Sequence, residues 1–329
     1  MTWKGRKVLV TGAGGFIGSH LIEQLVAEGA DVRAFVRYNS RGDIGLLRLL
    51  PAEIRSRLVV ISGSLADAEA VREAVRDMDT IFHLAALIAI PYSYLHPREV
   101  IETNVMGTLN VLSAAREYGV RRVVHTSTSE VYGSAQYVPI DEAHPLQGQS
   151  PYSASKIAAD KVAESFWCSY DLPVATLRPF NTYGPRQSAR AIIPTIITQV
   201  LAGDKIRLGA LEPVRDFTFV KDTIKAFLLG GELDAAIGQQ INVGTGLCIS
   251  IGDLARQIMR LLGRELPIVP DEERLRPPRS EVSRLLANRD RAQKLLGWEP
   301  LVSLDEGLAL TISWIHDHLS LYRPGVYEV

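Results

Sequence analysis

Short apolar runs alternate with helical segments along the first half of the chain, and this alternation constrains the fold more than any other feature. Runs typical of buried strands lie at 7–10, 31–36, 58–61, 80–84, 123–127 and 174–177. Helical segments lie between them, including 97–118 and a run that begins near residue 152. Strands that alternate with helices form parallel sheets covered on both faces. The pattern therefore predicts an α/β fold built on a doubly wound parallel sheet.

The sequence changes character after residue 180, where proline and glycine separate shorter elements. We predict a sheet domain formed by residues 1–180 together with about 216–245. The remaining residues, 181–215 and 246–329, are expected to form a smaller C-terminal α/β lobe. Ligands of such folds bind at the carboxyl ends of the strands, so this lobe is expected to contact the substrate.

The composition favours a protein whose partners are small molecules. The 329 residues are 47% hydrophobic and 22% charged, which allows one large core and a smaller second one. The formal net charge of −1 argues against a nucleic-acid surface and against electrostatic attraction to a membrane. The longest apolar stretch, 81–95, is shorter than the ~20 residues of a spanning helix. With no signal-like N-terminal run, we expect a cytoplasmic protein.

The cysteines and histidines follow no pattern of a disulfide framework or a metal site. Cys168 and Cys248 lie far apart and lack redox or metal-ligand spacing. We expect a reducing compartment and two small, buried side chains. His316 and His318 are two positions apart in a predicted helix and would point to different faces. No bound metal is therefore expected.

A glycine-rich turn, Thr11-Gly-Ala-Gly-Gly-Phe-Ile-Gly18, joins the first predicted strand to the first predicted helix. Glycines 12, 15 and 18 would let the backbone turn tightly, let a pyrophosphate approach the main chain, and let the helix pack on the strand. A glycine pattern by itself is weak evidence, because purely structural turns also contain it. Its place between strand and helix indicates a Rossmann-like dinucleotide site, with contacts from Gly12, Gly15, Phe16, Ile17 and Gly18.

Tyr152 and Lys156 lie four residues apart, about 140 residues after the glycine turn, and so share one face of a helix. A phenol with a pKa near ~10 is a poor base at neutral pH unless a cation favours its phenolate. Lys156 can be that cation. A buried packing residue is the commoner role for a single tyrosine. The pair combined with the glycine turn indicates hydride transfer.

Taken in order, the motifs of this chain resemble those of the extended short-chain dehydrogenase/reductases that act on nucleotide sugars. They are Gly12-x-x-Gly15-x-x-Gly18, His83-Leu-Ala-Ala86, Thr126-Ser-Thr-Ser-Glu-Val-Tyr-Gly133, Tyr152-x-x-x-Lys156, Arg178-Pro-Phe-Asn-Thr-Tyr-Gly-Pro185 and Arg215-Asp-Phe. The resemblance covers nearly the whole chain and is strongest to legionaminic-acid-type N-acetylglucosamine-nucleotide 4,6-dehydratases. It implies an NAD(P)-dependent lyase of deoxysugar biosynthesis, and a homodimer built from helices 97–118 and 152–170.

The resemblance also implies catalytic roles for Thr128, Ser129, Glu130, Tyr152 and Lys156. Thr128 would bond the sugar O4, and the Tyr152 phenolate, supported by Lys156, would take the O4 proton as hydride leaves C4. Glu130 would then remove the C5 proton while water leaves C6, and the hydride would return to C6. Ser129 stands where many dehydratases have an aspartic acid, which leaves the C6 acid open, although mannose-nucleotide dehydratases resemble this chain here. The structural alternative for the run is a capped strand end.

The residues after the second strand bear on the choice of cofactor. An acidic residue there would bond the ribose 2′-hydroxyl of NAD, but the position holds Val36. Arg37, Ser40 and Arg41 suit a 2′-phosphate instead, which favours NADP over NAD, while a solvated basic loop is the alternative. The resemblance implies further cofactor contacts by Ser64, Leu65, Leu84, Ala85 and Ala86. The cofactor would be tightly bound and regenerated in each cycle.

Three polar residues are predicted to bind the substrate. Arg215 and Arg276 come from separate segments and could converge on one diphosphate, with Asn181 beside them. A single arginine is more often a surface ion-pair residue, and only the shared sequence context favours binding here. Asn104 could hold the site through backbone hydrogen bonds.

Three other functions remain open at this point. A UDP-glucuronate decarboxylase would also begin with oxidation at C4 but would lose carbon dioxide. A 4-epimerase would interconvert two stereoisomers and leave no stable ketone. A non-catalytic NADP-sensing module would keep the fold without turnover, although the intact Tyr152 and Lys156 argue against it.

Overall fold

The computed structural model describes residues 3–326, so the outer ends of the predicted domain ranges, 1–2 and 327–329, lie outside the described residues. The strands are β1 (Lys7–Thr11), β2 (Asp31–Arg37), β3 (Val59–Gly63), β4 (Thr80–His83), β5 (Arg122–Thr126), β6 (Val174–Pro179), β7 (Asn181–Tyr183), β8 (Ile206–Leu208), β9 (Val214–Arg215), β10 (Phe217–Phe219), β11 (Gln240–Val243), β12 (Ile249–Ser250), β13 (Ile268–Pro270) and β14 (Arg284–Leu285). The predicted strands of the first half are confirmed as β1–β6, with ends shifted by one or two residues.

The α-helices separate and flank these strands. They are α1 (Phe16–Ala27), α2 (Ala52–Arg55), α3 (Ala68–Val75), α4 (Ile90–Leu95), α5 (Pro97–Ile101), α6 (Gly107–Glu117), α7 (Pro151–Tyr170), α8 (Ile192–Ala202), α9 (Val220–Glu232), α10 (Ile251–Leu261), α11 (Asp290–Leu296) and α12 (Leu304–Asp317). Among the described residues, no helix combines the length and apolarity that crossing a membrane requires.

A seven-stranded sheet organises the described residues in the order β11-β6-β5-β4-β1-β2-β3. Every neighbouring pair in it is parallel. The order reverses direction between β1 and β4, which is the crevice where ligands of doubly wound sheets bind. The predicted Rossmann-like α/β fold is therefore confirmed.

Both faces of the sheet are buried, as the period of two along a strand requires. On β1, Val8 and Val10 belong to the core shared with α1 and α9. Leu9, between them, belongs to the opposite core, which α3, α6 and α7 cover. All three side chains are fully buried, so the central strand has no face open to water.

A segment from beyond residue 180 completes the sheet, because β11 pairs with β6 at its edge. The other late strands form small sheets of their own, with orders β10-β7, β12-β9-β14 and β13-β8. Trp298 ties the late helices to the sheet, since its buried indole donates to the Asp222 carbonyl of α9 at 2.8 Å. The division into two domains stays a prediction.

The predicted helix 97–118 is interrupted by one π-helical turn, Glu102–Met106, between α5 and α6. Asn104 lies in that turn and is buried. Its amide accepts from Leu87 N at 2.7 Å and donates to Leu87 O at 3.0 Å. It also donates to Ser155 Oγ of α7 at 2.9 Å. Such π turns often mark functional sites, and this one joins the helix to the chain that leaves β4.

The expectation that both cysteines are small buried residues is wrong. Cys168 lies near the end of α7 and Cys248 lies between β11 and β12, and both are exposed. The sequence around Cys168 is apolar enough to suggest burial, but only one face of α7 packs on the sheet. In the described residues no group of three His, Cys, Asp or Glu could hold a metal ion.

Candidate active site

The glycine turn after β1 leaves no room for side chains. Gly12 has a φ of +71°, and a Cβ on it would lie 2.8 Å from the backbone nitrogen of Ala85. A Cβ on Gly18 would collide with the carbonyl oxygen of Gly12. Gly15 is the N-cap of α1, and its helix has neither a side-chain cap nor an acidic residue in its first turn. The unpaired N–H groups and the helix dipole therefore fit the pyrophosphate of a dinucleotide.

The predicted cofactor residues that follow β4 lie against the same turn. Leu84 N donates to Thr11 O at 3.3 Å, and Ala85 N donates to Thr11 Oγ1 at 3.2 Å. Ala86 follows them and is half-buried. Phe16 and Ile17 open α1 on the other side of the turn. The carboxyl ends of β1 and β4 thus bring the glycine turn and residues 84–86 together.

The residues predicted to contact the adenosine lie after β2 and β3. Arg37, Ser40 and Arg41 are exposed, and Arg37 Nη2 lies 3.5 Å from Glu99 Oε1 of α5. Ser64 is exposed and its hydroxyl accepts from Ala66 N at 3.2 Å, as in a simple turn. Leu65 is buried and packs against Gly107, where an added Cβ would lie 2.7 Å from the Leu65 Cβ.

Helix α7 presents Tyr152 and Lys156 to the end of β5. The helix begins with a capping box between Ser150 and Ser153 and has Pro151 at its first position. Tyr152 is 7% exposed and Lys156 is 4% exposed. Lys156 Nζ donates to the carbonyl oxygen of Thr126 at 2.6 Å. A long, well-capped helix therefore fixes both side chains against the sheet.

Burial governs the protonation of both groups. Burial raises the pKa of Tyr152 well above its usual value, and the hydrogen bond with Thr128 opposes this while the charge of Glu130 adds to it. Burial lowers the pKa of Lys156 to about 8, against the opposing charge of Asp160. The chain by itself favours the neutral phenol. The base form of Tyr152 therefore needs a further positive charge beside the ring.

The Thr128–Glu130 run lies at the carboxyl end of β5. Thr128 is the N-cap of a 3₁₀ turn, Ser129–Tyr132, and its Oγ1 accepts from Glu130 N at 3.2 Å. Thr128 and Glu130 are half-buried, whereas Ser129 is 2% exposed. Thr128 thus caps the 3₁₀ turn and also forms a hydrogen bond with Tyr152. The run thus places the Thr128 hydroxyl against the phenol, and the Glu130 carboxylate close enough for its charge to act on the phenol.

Arginines 215 and 276 converge near Glu130, as predicted from separate segments. Arg276 Nη1 lies 3.8 Å from Glu130 Oε1 and 4.0 Å from Glu281 Oε1. Arg215 Nη2 donates to Glu281 Oε1 at 3.2 Å. Arg276 Nη1 is buried and lacks a hydrogen-bond partner among the described residues. The two guanidinium groups and the unfilled donor of Arg276 have the chemistry that binding a diphosphate requires, so the diphosphate site stays a prediction.

Asn181 and Asp216 hold this region in place. Asn181 is half-buried on β7, and its N–H donates to Asp216 O at 3.0 Å. The fully buried carboxylate of Asp216 accepts from Thr245 N, Thr245 Oγ1, Gly246 N and Ala287 N. Asp216 therefore joins β9 to the turn after β11 and to the end of β14, and so positions Arg215.

Sequence reasoning did not identify Asp160, whose carboxylate lies beneath the site. It accepts hydrogen bonds from His125, Ser127 and Arg178. Its spacing was the available signal, because Tyr152, Lys156 and Asp160 follow one another at intervals of four on α7. Glu281 was also not identified, since a single glutamate in a loop carries no pattern.

The parallel sheet, the glycine turn and the Tyr152–Lys156 pair define a protein of the short-chain dehydrogenase/reductase class. The family model for GDP-mannose 4,6 dehydratase matches residues 9–311. The chain belongs to this family, the extended branch that contains nucleotide-sugar epimerases and dehydratases. It is accordingly an enzyme of that family.

Its similarity to characterised relatives extends over almost the whole chain. It is 35% identical to a UDP-glucose 4-epimerase of Mycolicibacterium smegmatis, over 94% of this chain and 99% of that protein. It is 33% identical to a dTDP-glucose 4,6-dehydratase of Streptomyces griseus, over 96% of each. A crystal structure of a double mutant of DesIV, a dTDP-glucose 4,6-dehydratase from Streptomyces venezuelae with NAD bound, superposes with a TM-score of 0.87. That pair is 32% identical over 96% of this chain and 98% of DesIV.

Proposed function

We propose that this enzyme is a nucleotide-sugar 4,6-dehydratase that converts UDP- or GDP-N-acetylglucosamine to the 4-keto-6-deoxy sugar nucleotide. The observation that carries the proposal is Glu130, a half-buried carboxylate beside Tyr152 and next to the paired arginines. Epimerisation needs a tyrosine and a lysine at C4 but no separate carboxylate base. Dehydration needs such a base, because a C5 proton must be removed.

A nicotinamide dinucleotide held at the glycine turn after β1 would supply the acceptor and later the donor of one hydride. Tyr152 takes the proton of the sugar O4, and Thr128, which is hydrogen-bonded to Tyr152, orients that hydroxyl. Lys156 supplies a buried positive charge one helical turn away. Glu130 then removes the C5 proton of the resulting 4-ketone as water leaves C6, and its carboxyl group returns a proton to C5 when the hydride is added to C6. Arg215 and Arg276 hold the diphosphate, with Asn181 beside it.

Ser129 holds the position where many dehydratases have the acid that protonates the departing C6 hydroxyl, and it is the candidate for that role. Ser129 is 2% exposed, so its hydroxyl is almost completely shielded from solvent. A hydroxyl is also a much weaker acid than a carboxyl group. We therefore expect the C6 step to be slow relative to oxidation at C4.

A 4-epimerase is the second candidate. The absence of a carboxyl group at Ser129 favours it, as does the 35% identity to an epimerase. In a 4-epimerase, Glu130 would have no role as a base and would serve only as the ion-pair partner of Arg276.

We extend the proposal to NADP as the cofactor. Three exposed residues that suit a 2′-phosphate, Arg37, Ser40 and Arg41, lie at the end of β2 and just after it. Val36 stands where an acid would bond the 2′-hydroxyl. The similar DesIV structure contains NAD, so the two cofactors must be distinguished by measurement.

Mass spectrometry of the purified enzyme tests both parts. The enzyme is incubated without added reductant with UDP-N-acetylglucosamine, GDP-N-acetylglucosamine, UDP-glucose and UDP-glucuronate. We expect loss of one water from an N-acetylglucosamine nucleotide, and a Glu130→Gln variant should lose at least 100-fold of this activity. Dinucleotide released by denaturation should have the mass of NADP rather than NAD.

A Glu273→Gln variant is the control, because this exposed residue lies in the loop that leads to Arg276. It should keep full activity. A new epimer with no change of mass, made equally well by Glu130→Gln, would replace the proposal with a 4-epimerase. Loss of carbon dioxide from UDP-glucuronate would replace it with a decarboxylase. Bound NADP without turnover of any of the four would indicate a sensing module.

A further inference from the structure

A buried carboxylate, Asp160, extends the Tyr152–Lys156 face of α7 by one more turn. The three residues are spaced by four and so lie above one another on the helix. Asp160 is 3% exposed, hardly more than the other core residues around it. Since Lys156 bonds the carbonyl of Thr126 and Asp160 bonds the next residue, Ser127, this face of α7 packs on the end of β5.

The Asp160 carboxylate joins α7 to two strands. Its Oδ1 accepts from His125 Nε2 of β5 at 3.1 Å. Its Oδ2 accepts from Ser127 Oγ at 2.7 Å and from Arg178 Nε and Nη2 of β6 at 3.2 and 3.1 Å. Four hydrogen bonds to one buried carboxylate leave it little freedom to move. Ser127 is the residue directly before Thr128.

The same network reaches the other end of the Thr128–Glu130 run. Arg178 Nη1 donates to the hydroxyl of Tyr132 at 3.0 Å. Tyr132 closes the 3₁₀ turn that carries Glu130, and its hydroxyl donates to Asn242 Oδ1 of β11 at 2.7 Å. Asp160 thus holds Ser127, the residue before the run, directly, and holds Tyr132, two residues after the run, through Arg178.

We propose that Asp160 is a positioning residue that aligns the Thr128–Glu130 run with Tyr152 and provides the negative charge that keeps Lys156 cationic. The proposal deepens the proposed function, because it concerns the same Tyr152, Lys156 and Glu130. An ordinary buried ion pair with Arg178 would stabilise the fold without either effect.

Among the titratable groups described near Lys156, Asp160 is the one that supplies a negative charge to it. His83 of β4 and His125 of β5 are fully buried, and burial holds the pKa of each below its usual value, so both are neutral near pH 7. Arg178 of β6 is a second cation and shares Asp160. The charge of Glu130 acts on Tyr152, and it is not among the charges that shift the pKa of Lys156. Of the charges described near Lys156, only that of Asp160 raises its pKa.

The decisive variant is Asp160→Asn, which keeps the shape of the side chain and removes its charge. We expect the pKa of Lys156 to fall from about 8 by about one unit, because an opposite charge nearby favours the ammonium. Its signal can be followed by NMR of lysine-labelled protein and assigned with Lys156→Met. We also expect kcat to fall at least tenfold with little change in KM, and the alkaline loss of activity to begin at lower pH.

Two further variants separate alignment from charge. Ser127→Ala keeps the carboxylate but frees the start of the run, and should lower kcat several-fold without moving the pKa of Lys156. Glu164→Gln, one turn beyond Asp160 on the same helix, removes a half-exposed carboxylate that pairs only with Lys161 in the hydrogen bonds described. Glu164→Gln should change neither kcat nor the pKa of Lys156.

Unchanged kcat and an unchanged Lys156 pKa in folded Asp160→Asn would overturn the proposal. If that single variant does not fold, the double variant Asp160→Asn/Arg178→Gln is used, because it removes both charges of the Asp160–Arg178 ion pair. A wild-type kcat and a wild-type pKa of Lys156 in the double variant would overturn the proposal equally. The NMR titration needs no turnover. Wild-type enzyme that acts on no nucleotide sugar would therefore refute the proposed function, while the titration still decides the role of Asp160.

Discussion

At the scale of single residues, the site buries the ammonium group of Lys156, although burial disfavours a positive charge. Lys156 has almost no exposed surface, and its pKa lies near 8 rather than at its usual 10.5. Below pH 8 both the folded and the unfolded chain carry the charge, and the folded chain bears the desolvation cost. Between pH 8 and 10.5 the unfolded chain binds more protons, so stability rises with pH.

Replacing Lys156 by Met should stabilise the protein at pH 7 while abolishing turnover. A pKa of about 8 in place of 10.5 corresponds to a cost of about 3 kcal/mol, so we expect a gain of about 1–3 kcal/mol in the free energy of unfolding. Urea unfolding at pH 7 and pH 10 measures it, and the gain should shrink at the higher pH. A variant less stable than wild type at pH 7 would mean that Lys156 contributes mainly through its hydrogen bond to Thr126.

At the scale of elements, arginines from neighbouring segments close the carboxyl ends of several helices. Arg122 of β5 donates to Gly230 O and Leu233 O at the end of α9, at 3.1 and 2.8 Å. Arg33 of β2 does the same at the end of α3, and Arg264 at the end of α8. The last carbonyls of a helix lack internal partners, and a cation there also complements the helix dipole.

Arg122→Met should lower the free energy of unfolding by about 1–3 kcal/mol, because two carbonyls at the end of α9 lose their donor. Chemical denaturation measures the loss. The neighbouring Arg121 is exposed and provides the matched control, since Arg121→Met should change stability by less than about 0.5 kcal/mol. Equal effects of the two substitutions would contradict a capping role for Arg122.

At the scale of the whole molecule, the predicted homodimer remains to be tested. The outer side of α5 and its π turn exposes Ile101 at 46% and Met106 at 47%, and α7 ends with Tyr170 at 47%. An exposed apolar patch is typical of a contact between subunits, and we propose that these side chains contribute to one. These helices are the ones from which the sequence predicts a four-helix interface.

Light scattering of the purified protein should give twice the mass of one chain. Ile101→Glu combined with Met106→Glu should halve that mass, because two charges would be buried in the interface. Leu301→Glu is the control, since Leu301 is 71% exposed and lies outside these helices. A wild-type monomer at micromolar concentration would refute the predicted interface.

Local patterns determined much of this structure. The strands β1–β6 follow from apolar runs with turns between them, because a strand buried on both faces must be continuously apolar. The glycine turn follows from local sterics, since Gly12 has a φ of +71° and a Cβ on Gly18 would collide with the carbonyl oxygen of Gly12. The pairing of Tyr152 with Lys156 follows from helix geometry alone.

Only the tertiary structure decided which distant groups meet. The exposure of Cys168 depends on which side of α7 faces the sheet, and the π turn at Asn104 depends on hydrogen bonds to Leu87. The carboxylate of Asp160 gathers donors from β5 and β6, and Arg276 approaches Glu130 from a loop almost 150 residues later. Sequence patterns record spacing along one element, whereas these contacts arise from packing between elements, which no local period encodes.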